Sequence, residues 1–158
     1  MTRVDFYHLQ KWPLHKALPQ LLEKVLASGS RAVVMAASPE RVEALNTLLW
    51  TYDPASWLPH GSSADGNPDL QPVWLTDAEE TPSPVPGVPV VLVLTDGRDS
   101  PAKAGFARCL DLFDGNDPAA VDAARARWRA CREAGHEIFY WQQTDGGGWR
   151  EMSRASET

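Results

Sequence analysis

The sequence lacks the features that mark several classes of protein. It contains only 2 cysteines among its 158 residues, so no disulfide framework is expected. Its longest uninterrupted apolar run, Val88–Leu94, is far shorter than the roughly 20 residues that a membrane-spanning helix needs. The opening residues Met1–Asp5 carry neither the basic nor the long apolar region of a signal peptide. We therefore expect a cytoplasmic protein with reduced thiols and no membrane partner.

The sequence also has fewer positively charged than negatively charged side chains. The chain has 15 Lys and Arg against 21 Asp and Glu, which gives a formal net charge of −6 and a pI near 5.1. Proteins that hold nucleic acid through its phosphates usually present a basic domain. We expect contact with nucleic acid to be indirect, through another protein.

The motifs of common α/β enzymes are missing as well. The sequence contains no G-x-G-x-x-G, no G-x-x-x-x-G-K-[ST] and no G-x-S-x-G. Its four histidines do not stand at the spacings of a local metal site, so we expect no cofactor and no metal. One enzymatic alternative stays open, a small nucleotide-binding enzyme or hydrolase that uses His60, Asp96 and Asp99. These residues are also explained by turn chemistry.

The apolar pattern predicts one α/β domain with a largely parallel sheet. The predicted strands are Thr2–Leu9, Arg31–Ala36, Val73–Thr76, Val90–Leu94, Cys109–Phe113 and a closing strand His136–Thr144; predicted helices begin at Leu14, Pro39 and Pro118. The unbroken apolar run Val90–Leu94 is typical of a central strand that is covered on both faces. We place the domain at residues 1–144, followed by a flexible C-terminal tail over residues 145–158. Long connections are predicted over Thr51–Asp69 and Thr81–Pro89, which are rich in proline and glycine.

The last predicted helix combines tryptophan with arginine. Arg125, Trp128, Arg129 and Arg132 follow at i, i+3, i+4 and i+7, which places them along one side of a helix. Exposed tryptophan beside arginine is typical of binding hot spots, and such a stripe suits an acidic peptide that ends in an apolar residue. The alternative is that Trp128 packs inward while the arginines form a solvated face.

Several segments together resemble a known family, the chi subunit of bacterial DNA polymerase III. The resemblance extends roughly from Val4 to Phe139 and is carried by Asp5–Tyr7, Leu48–Trp50, Asp53-Pro54, Trp57–Gly61, Ala124–Arg129 and Ala134-Gly135. It implies a three-layer α/β/α fold and a non-catalytic accessory subunit of the clamp-loader complex in DNA replication. It also implies two partners, the acidic C-terminal tail of the single-stranded-DNA-binding protein and the psi subunit of the clamp loader.

The resemblance also assigns residues to two contact sites. The tail site would contain Phe113, Arg125, Trp128, Arg129 and Gly135, with Arg125 on the tail carboxylates and the aromatic rings around its apolar end. The same surface would equally serve an adaptor that recruits a helicase or repair protein.

The psi site would contain Trp57, supported by Trp50 and Pro59. The departures from the family pattern are the stretch from Pro82 to Pro89 and the glycines at 146–148.

Overall fold

A mostly parallel sheet forms the middle layer of the molecule. The computed structural model describes residues 2–51, 60–62, 71–79, 86–146 and 148–155, the last three by their backbone alone. Across these residues the strands are β1 (Arg3–Leu9), β2 (Arg31–Met35), β3 (Gly61–Ser62), β4 (Val73–Thr76), β5 (Val90–Leu94), β6 (Arg108–Asp114), β7 (Glu137–Gln143) and β8 (Trp149–Ala155). Their order in the sheet is β3-β4-β2-β5-β6-β1-β7-β8, which confirms that Val90–Leu94 is central. Each neighbouring pair is parallel except β7 and β8.

The helices begin where the sequence predicts. They are α1 (Leu14–Ala27), α2 (Pro39–Thr51) and α3 (Pro118–Glu133), with one 3-10 turn at Lys103–Gly105. The Asp117 side chain accepts a hydrogen bond from the Ala119 N–H at 3.0 Å and so caps the start of α3. Gly29 and Gly135 follow α1 and α3 with φ of 84° and 81°, a conformation that glycine adopts without strain.

The two faces of the sheet are covered by different helices. One apolar cluster joins α1 and α2 to the sheet through residues such as Leu18, Leu45 and Val34. The other joins α3 to the opposite face through residues such as Ala124, Cys131 and Phe6. This arrangement is the three-layer α/β/α fold, and it follows from the alternation of side chains along each strand.

The C-terminal segment corrects the sequence analysis. The prediction of a flexible tail over 145–158 is wrong for residues 149–155, which form β8, so the strand that ends at Gln143 is not the last one. Gln143 pairs with Trp149 and Ile138 with Ala155 in an antiparallel register. The Thr144 N–H donates to the Gly148 carbonyl at 2.8 Å, which closes the hairpin connection. Gly146 and Gly148 therefore belong to the connection between two strands.

Parts of both predicted connections lie outside the described residues, namely 52–59, 63–69 and 81–85. Within the first connection, Gly61–Ser62 adds the short edge strand β3 beside β4. Across the part of the chain that the structure describes, no helix has the length and apolarity needed to cross a membrane.

Candidate functional site

The side chains of helix α3 fall into three groups by their burial: buried, half-buried and exposed. Ala124, Arg127 and Cys131 point inward and are buried. Val121 and Trp128 are half-buried against the apolar cluster beneath α3. The exposed residues of the helix include three arginines, Arg125, Arg129 and Arg132.

Arg127 is buried opposite a carboxylate, unlike the other three arginines of α3. Its Nε lies 2.7 Å from Asp111 Oδ2 and its Nη2 lies 2.9 Å from Asp111 Oδ1, and both side chains are less than a tenth exposed. Two parallel hydrogen bonds of this kind fix the position of both partners. The pair anchors α3 to β6, so Arg127 is not available to an incoming ligand.

Arg125, Trp128 and Arg132 share one side of α3. At 100° per residue they lie within about 60° of one another around the helix axis. Helix α3 packs against β7 and β1, and the positive charge of Arg125 lowers the pKa of Tyr140 of β7 and of His8 of β1. We call these three residues together with His8 and Tyr140 the α3–β7 surface.

One end of the α3–β7 surface is formed by three rings from three strands. Phe113 of β6 lies 5.1 Å from the His8 ring and 6.0 Å from the Tyr140 ring between centroids. Phe113 is only 4% exposed, whereas His8 and Tyr140 are half-buried. Phe113 therefore lies beneath the other two rings, and the rings of His8 and Tyr140 carry the atoms that a ligand can reach.

The middle and far end of this surface are formed by α3 itself. The Arg132 guanidinium lies 5.6 Å from the Trp128 ring centroid, a cation–π contact that holds the ring beside charge. Arg125 is 65% exposed at its side chain and only 3.9 Å from Asp122, a weak pair that a ligand can displace. Gly135 ends the helix, where its N–H donates to the Arg132 carbonyl at 3.1 Å.

The residues predicted to bind the tail of the single-stranded-DNA-binding protein therefore line one side of α3. They do not surround a single pocket. Phe113 precedes the helix and Gly135 follows it, and the 16 residues of α3 span about 24 Å. Arg125, Trp128 and Arg132 lie between them, and Arg129 is nearby on the exposed side. His8 and Tyr140 were missed by the sequence analysis, because the order of β1, β6 and β7 had not been predicted.

Comparison with known proteins identifies the family. A family model described as DNA polymerase III chi subunit, HolC, matches residues 1–139. The chain belongs to this family. The chi subunit is an accessory subunit of DNA polymerase III, a replication enzyme. The matched residues include all of α3 and end within β7, so β8 lies beyond them.

A curated chi protein is also similar to part of the chain. A probable DNA polymerase III subunit chi of Rickettsia prowazekii (strain Madrid E) is 34% identical over 83 residues, which is 52% of this chain and 50% of the relative. The chain thus spans about half the length of the curated relative it matches.

The second contact site that the chi resemblance implies is described only at Trp50. This tryptophan lies in the last turn of α2, is 60% exposed and has its ring centroid 4.7 Å from that of His60. Trp57 and Pro59 lie outside the described residues. Trp50 and Met152 are the exposed large hydrophobic side chains within the described part of the chain, so Trp50 marks an apolar point on the surface of this chi-family chain.

The residues of the enzymatic alternative are not brought together. Gly61 is in register with Leu92 across β4 and β2, and His60 and Asp96 lie at opposite ends of these parallel strands. At about 3.3 Å per residue and 4.8 Å per strand, they are about 20 Å apart. Asp96 instead pairs with Arg41 at 3.0 Å, and Asp99 with Lys103 at 2.6 Å. In this chi-family chain the two carboxylates act as local ion-pair partners.

A large cleft lies at the carboxyl ends of β1 and β6, where α1 and α3 leave the sheet toward opposite faces. Its volume is about 980 Å³, and apolar residues such as Trp12 and Leu48 line one side. Its other side carries Asp114 and Asp117, while its arginines Arg41 and Arg127 are paired with Asp96 and Asp111. The local charge is negative, so an acidic peptide is not expected to bind there.

Proposed function

We propose that this chi-family protein is a non-catalytic adaptor that links the clamp loader to the single-stranded-DNA-binding protein. The acidic C-terminal tail of that protein binds along the α3–β7 surface. The observation that carries the proposal is the half-buried Trp128 between the exposed cations Arg125 and Arg132. An apolar ring flanked by charge suits a peptide that is acidic and ends in an apolar residue.

The distribution of charge supports the same proposal. The chain as a whole carries −6 and repels nucleic acid, yet three exposed arginines occupy one helix. Steering by such a local patch favours an acidic protein segment over DNA. The DNA contact is then supplied by the single-stranded-DNA-binding protein, and this subunit reaches the DNA indirectly.

The clamp-loader contact is proposed at the surface marked by Trp50. A psi subunit that covers Trp50 would lie against α2 in the layer opposite α3. Trp57 and Pro59, which lie outside the described residues, are assigned to the same contact by the chi resemblance. The two partners would then occupy different layers and bind at the same time. Trp50→Ala is expected to weaken association with psi in a pull-down while leaving tail binding unchanged; loss of both would contradict the assignment of two separate sites.

Calorimetric titration with the C-terminal peptide of the cell's own single-stranded-DNA-binding protein tests the proposal. We expect an affinity on the order of micromolar, about −8 kcal/mol, and loss of binding when the terminal residue is deleted. Lys16→Ala is the matched control for Arg125→Ala in this titration, because Lys16 is an exposed cation on α1 in the opposite layer. Absence of binding to the intact peptide would contradict the adaptor function.

A further inference from the structure

One end of the α3–β7 surface contains a hydrogen-bonded pair, His8 and Tyr140, that has no role in the function proposed above. His8 Nδ1 lies 2.5 Å from Tyr140 Oη, and the two rings are 5.9 Å apart at 70°. Residue 8 and residue 140 come from neighbouring strands β1 and β7. The positive charge of Arg125 lowers the pKa of both side chains, so its guanidinium lies within electrostatic range of the hydrogen-bonded pair.

The imidazole is held in place from its other side. His8 also hydrogen-bonds to the backbone of Gly115, an interaction that favours the protonated ring, so the ring N–H donates to the carbonyl of Gly115. A Cβ atom at Gly115 would overlap the imidazole, and only glycine allows this close approach. The Gly115 N–H in turn donates to the Leu9 carbonyl at 2.7 Å.

The protonation state of His8 determines the direction of the bond to Tyr140. When the imidazole is neutral and Nε2 carries its proton, Nδ1 accepts from the Tyr140 hydroxyl. When the imidazole is protonated, Nδ1 donates to Tyr140 Oη instead. The tyrosine proton is then free to be donated to another acceptor.

We propose that the hydrogen-bonded Tyr140 and His8 complete, beside Arg125, the subsite for the free C-terminal carboxylate of the bound tail, and that His8 takes up a proton as the tail binds. This inference rests on the adaptor function proposed above. In the bound state Arg125 and the Tyr140 hydroxyl donate to the carboxylate, and the protonated His8 donates to Tyr140. The apolar terminal side chain lies against Trp128, one helical turn from Arg125.

The charges around His8 support proton uptake. Burial lowers the pKa of His8, Arg125 from α3 lowers it further, and the Gly115 backbone and Asp114 of β6 act in the opposite direction. Tyr140 faces the ring from β7. A carboxylate placed beside Arg125 offsets that positive charge, so the pKa of His8 rises on binding. By linkage the affinity increases as the pH falls through the range between the two pKa values.

The same geometry sets the direction of the bound peptide. Arg132 follows Arg125 by seven residues, which is about 10 Å along the helix axis. An extended peptide covers this distance with about three residues. With its terminus at Arg125, the preceding acidic residues of the tail run along α3 toward Arg132.

Titration of the full-length protein with the tail peptide in buffers of different ionisation enthalpy measures the protons exchanged. We expect net proton uptake, and up to about tenfold tighter binding at about pH 5.5 than at about pH 8 if the pKa of His8 rises by about one unit. His8→Gln is expected to remove both the uptake and the pH dependence. His15→Gln is the matched control, because His15 is an exposed histidine at the start of α1. Equal proton exchange in His8→Gln and the unmodified protein would overturn the role of His8.

A peptide with an amidated C-terminus tests the carboxylate contact directly. Tyr140→Phe is expected to weaken binding of the free-acid peptide about tenfold, since a hydrogen bond to a charged group is lost, and to leave binding of the amidated peptide nearly unchanged. An equal effect on both peptides would overturn the subsite. If neither peptide binds the unmodified protein at either pH, the adaptor function itself fails; if both bind equally well, only the subsite fails.

Discussion

Polar and aromatic side chains lie on both faces of the sheet around β1 and β7. On one face they are paired within the protein, and on the other, beside α3, they are accessible to a partner. On the α1 face, the Asp5 carboxylate is fully buried and accepts hydrogen bonds from Arg3, Arg108 and Trp141 at 2.7–3.2 Å. These groups satisfy one another within the protein. On the α3 face, Arg125 is 65% exposed and only weakly paired, which leaves its charge available to a partner.

Charged side chains therefore contribute to stability on the α1 face and are available for binding on the α3 face. Charged groups that are removed from water must be paired within the fold. Charged groups at the edge of a helix stay hydrated and bind when a ligand brings the opposite charge. We therefore expect variants of the α1 face to change stability, and variants of the α3 face to change binding while the fold stays intact.

The largest effect is expected for Asp5→Ala. It leaves two guanidiniums and an indole N–H without their shared acceptor, and we expect a loss of about 3 kcal/mol in the free energy of unfolding, measured by urea denaturation. Asp122→Ala removes an exposed carboxylate whose side chain is 80% exposed and is expected to have almost no effect. Similar values for the two variants would break the comparison.

The Asp5 network also predicts how stability depends on pH. Burial alone raises the pKa of Asp5, but the hydrogen bonds from Arg3, Arg108 and Trp141 outweigh it and hold this pKa below its usual value. The stabilisation is therefore present above the unfolded pKa of about 3.9 and lost as the pH falls through the lower folded value. The stability difference between the unmodified protein and Asp5→Asn should shrink under acidic conditions; a constant difference would contradict this origin.

Next in size is Trp128→Ala. If Trp128 holds the apolar end of the tail, its removal costs about 2 kcal/mol of binding free energy, measured by titration with the tail peptide. Since the ring is half-buried against the core beneath α3, thermal unfolding of the variant must be measured in parallel. A variant that is less stable but binds normally would place Trp128 in the scaffold alone.

Arg125→Ala is expected to weaken tail binding by about 1.5 kcal/mol, because a charge-assisted contact is lost. The salt dependence of the remaining affinity should also be flatter. Stability should be unchanged, since the only ion pair of Arg125 among the described residues is the 3.9 Å contact with Asp122. An unchanged affinity would move the tail site away from this end of α3.

The smallest effect is expected for Trp149→Ala. The Trp149 ring packs against Tyr7 at 4.9 Å in an edge-on arrangement, and such aromatic pairs contribute about 1 kcal/mol. We expect a loss of that size in unfolding free energy and no change in tail binding, because Trp149 lies on the α1 face. A weaker affinity for the tail would show that β8 contributes to recognition.

Much of the fold could be predicted because its signals are local. The apolar spacing of Leu18 and Leu22 indicated α1, the Asp117-Pro118 pair indicated the start of α3, and the unbroken run Val90–Leu94 indicated a central strand. The strand β8 was missed, because the glycines before it suggested a disordered end. Its residues alternate only weakly, and pairing with β7 stabilises it.

The candidate site was predicted only in part for a related reason. The spacing of Arg125, Trp128 and Arg132 in the sequence is sufficient to place them on one side of α3. The same arginine-rich run includes Arg127, and nothing in its local sequence distinguishes it from its neighbours. Its burial is decided by Asp111 of β6, which is 16 residues away in the chain.

The sequence by itself determined the class of fold, the positions of its main helices and strands, and the arginine side of α3, because these depend on periodicity within one segment. Only the tertiary structure decided which arginine is buried and that His8 meets Tyr140 across 132 residues of chain. Contacts of this kind arise from the order of strands in the sheet. That order follows from the packing of all layers together, and no local pattern of residues encodes it.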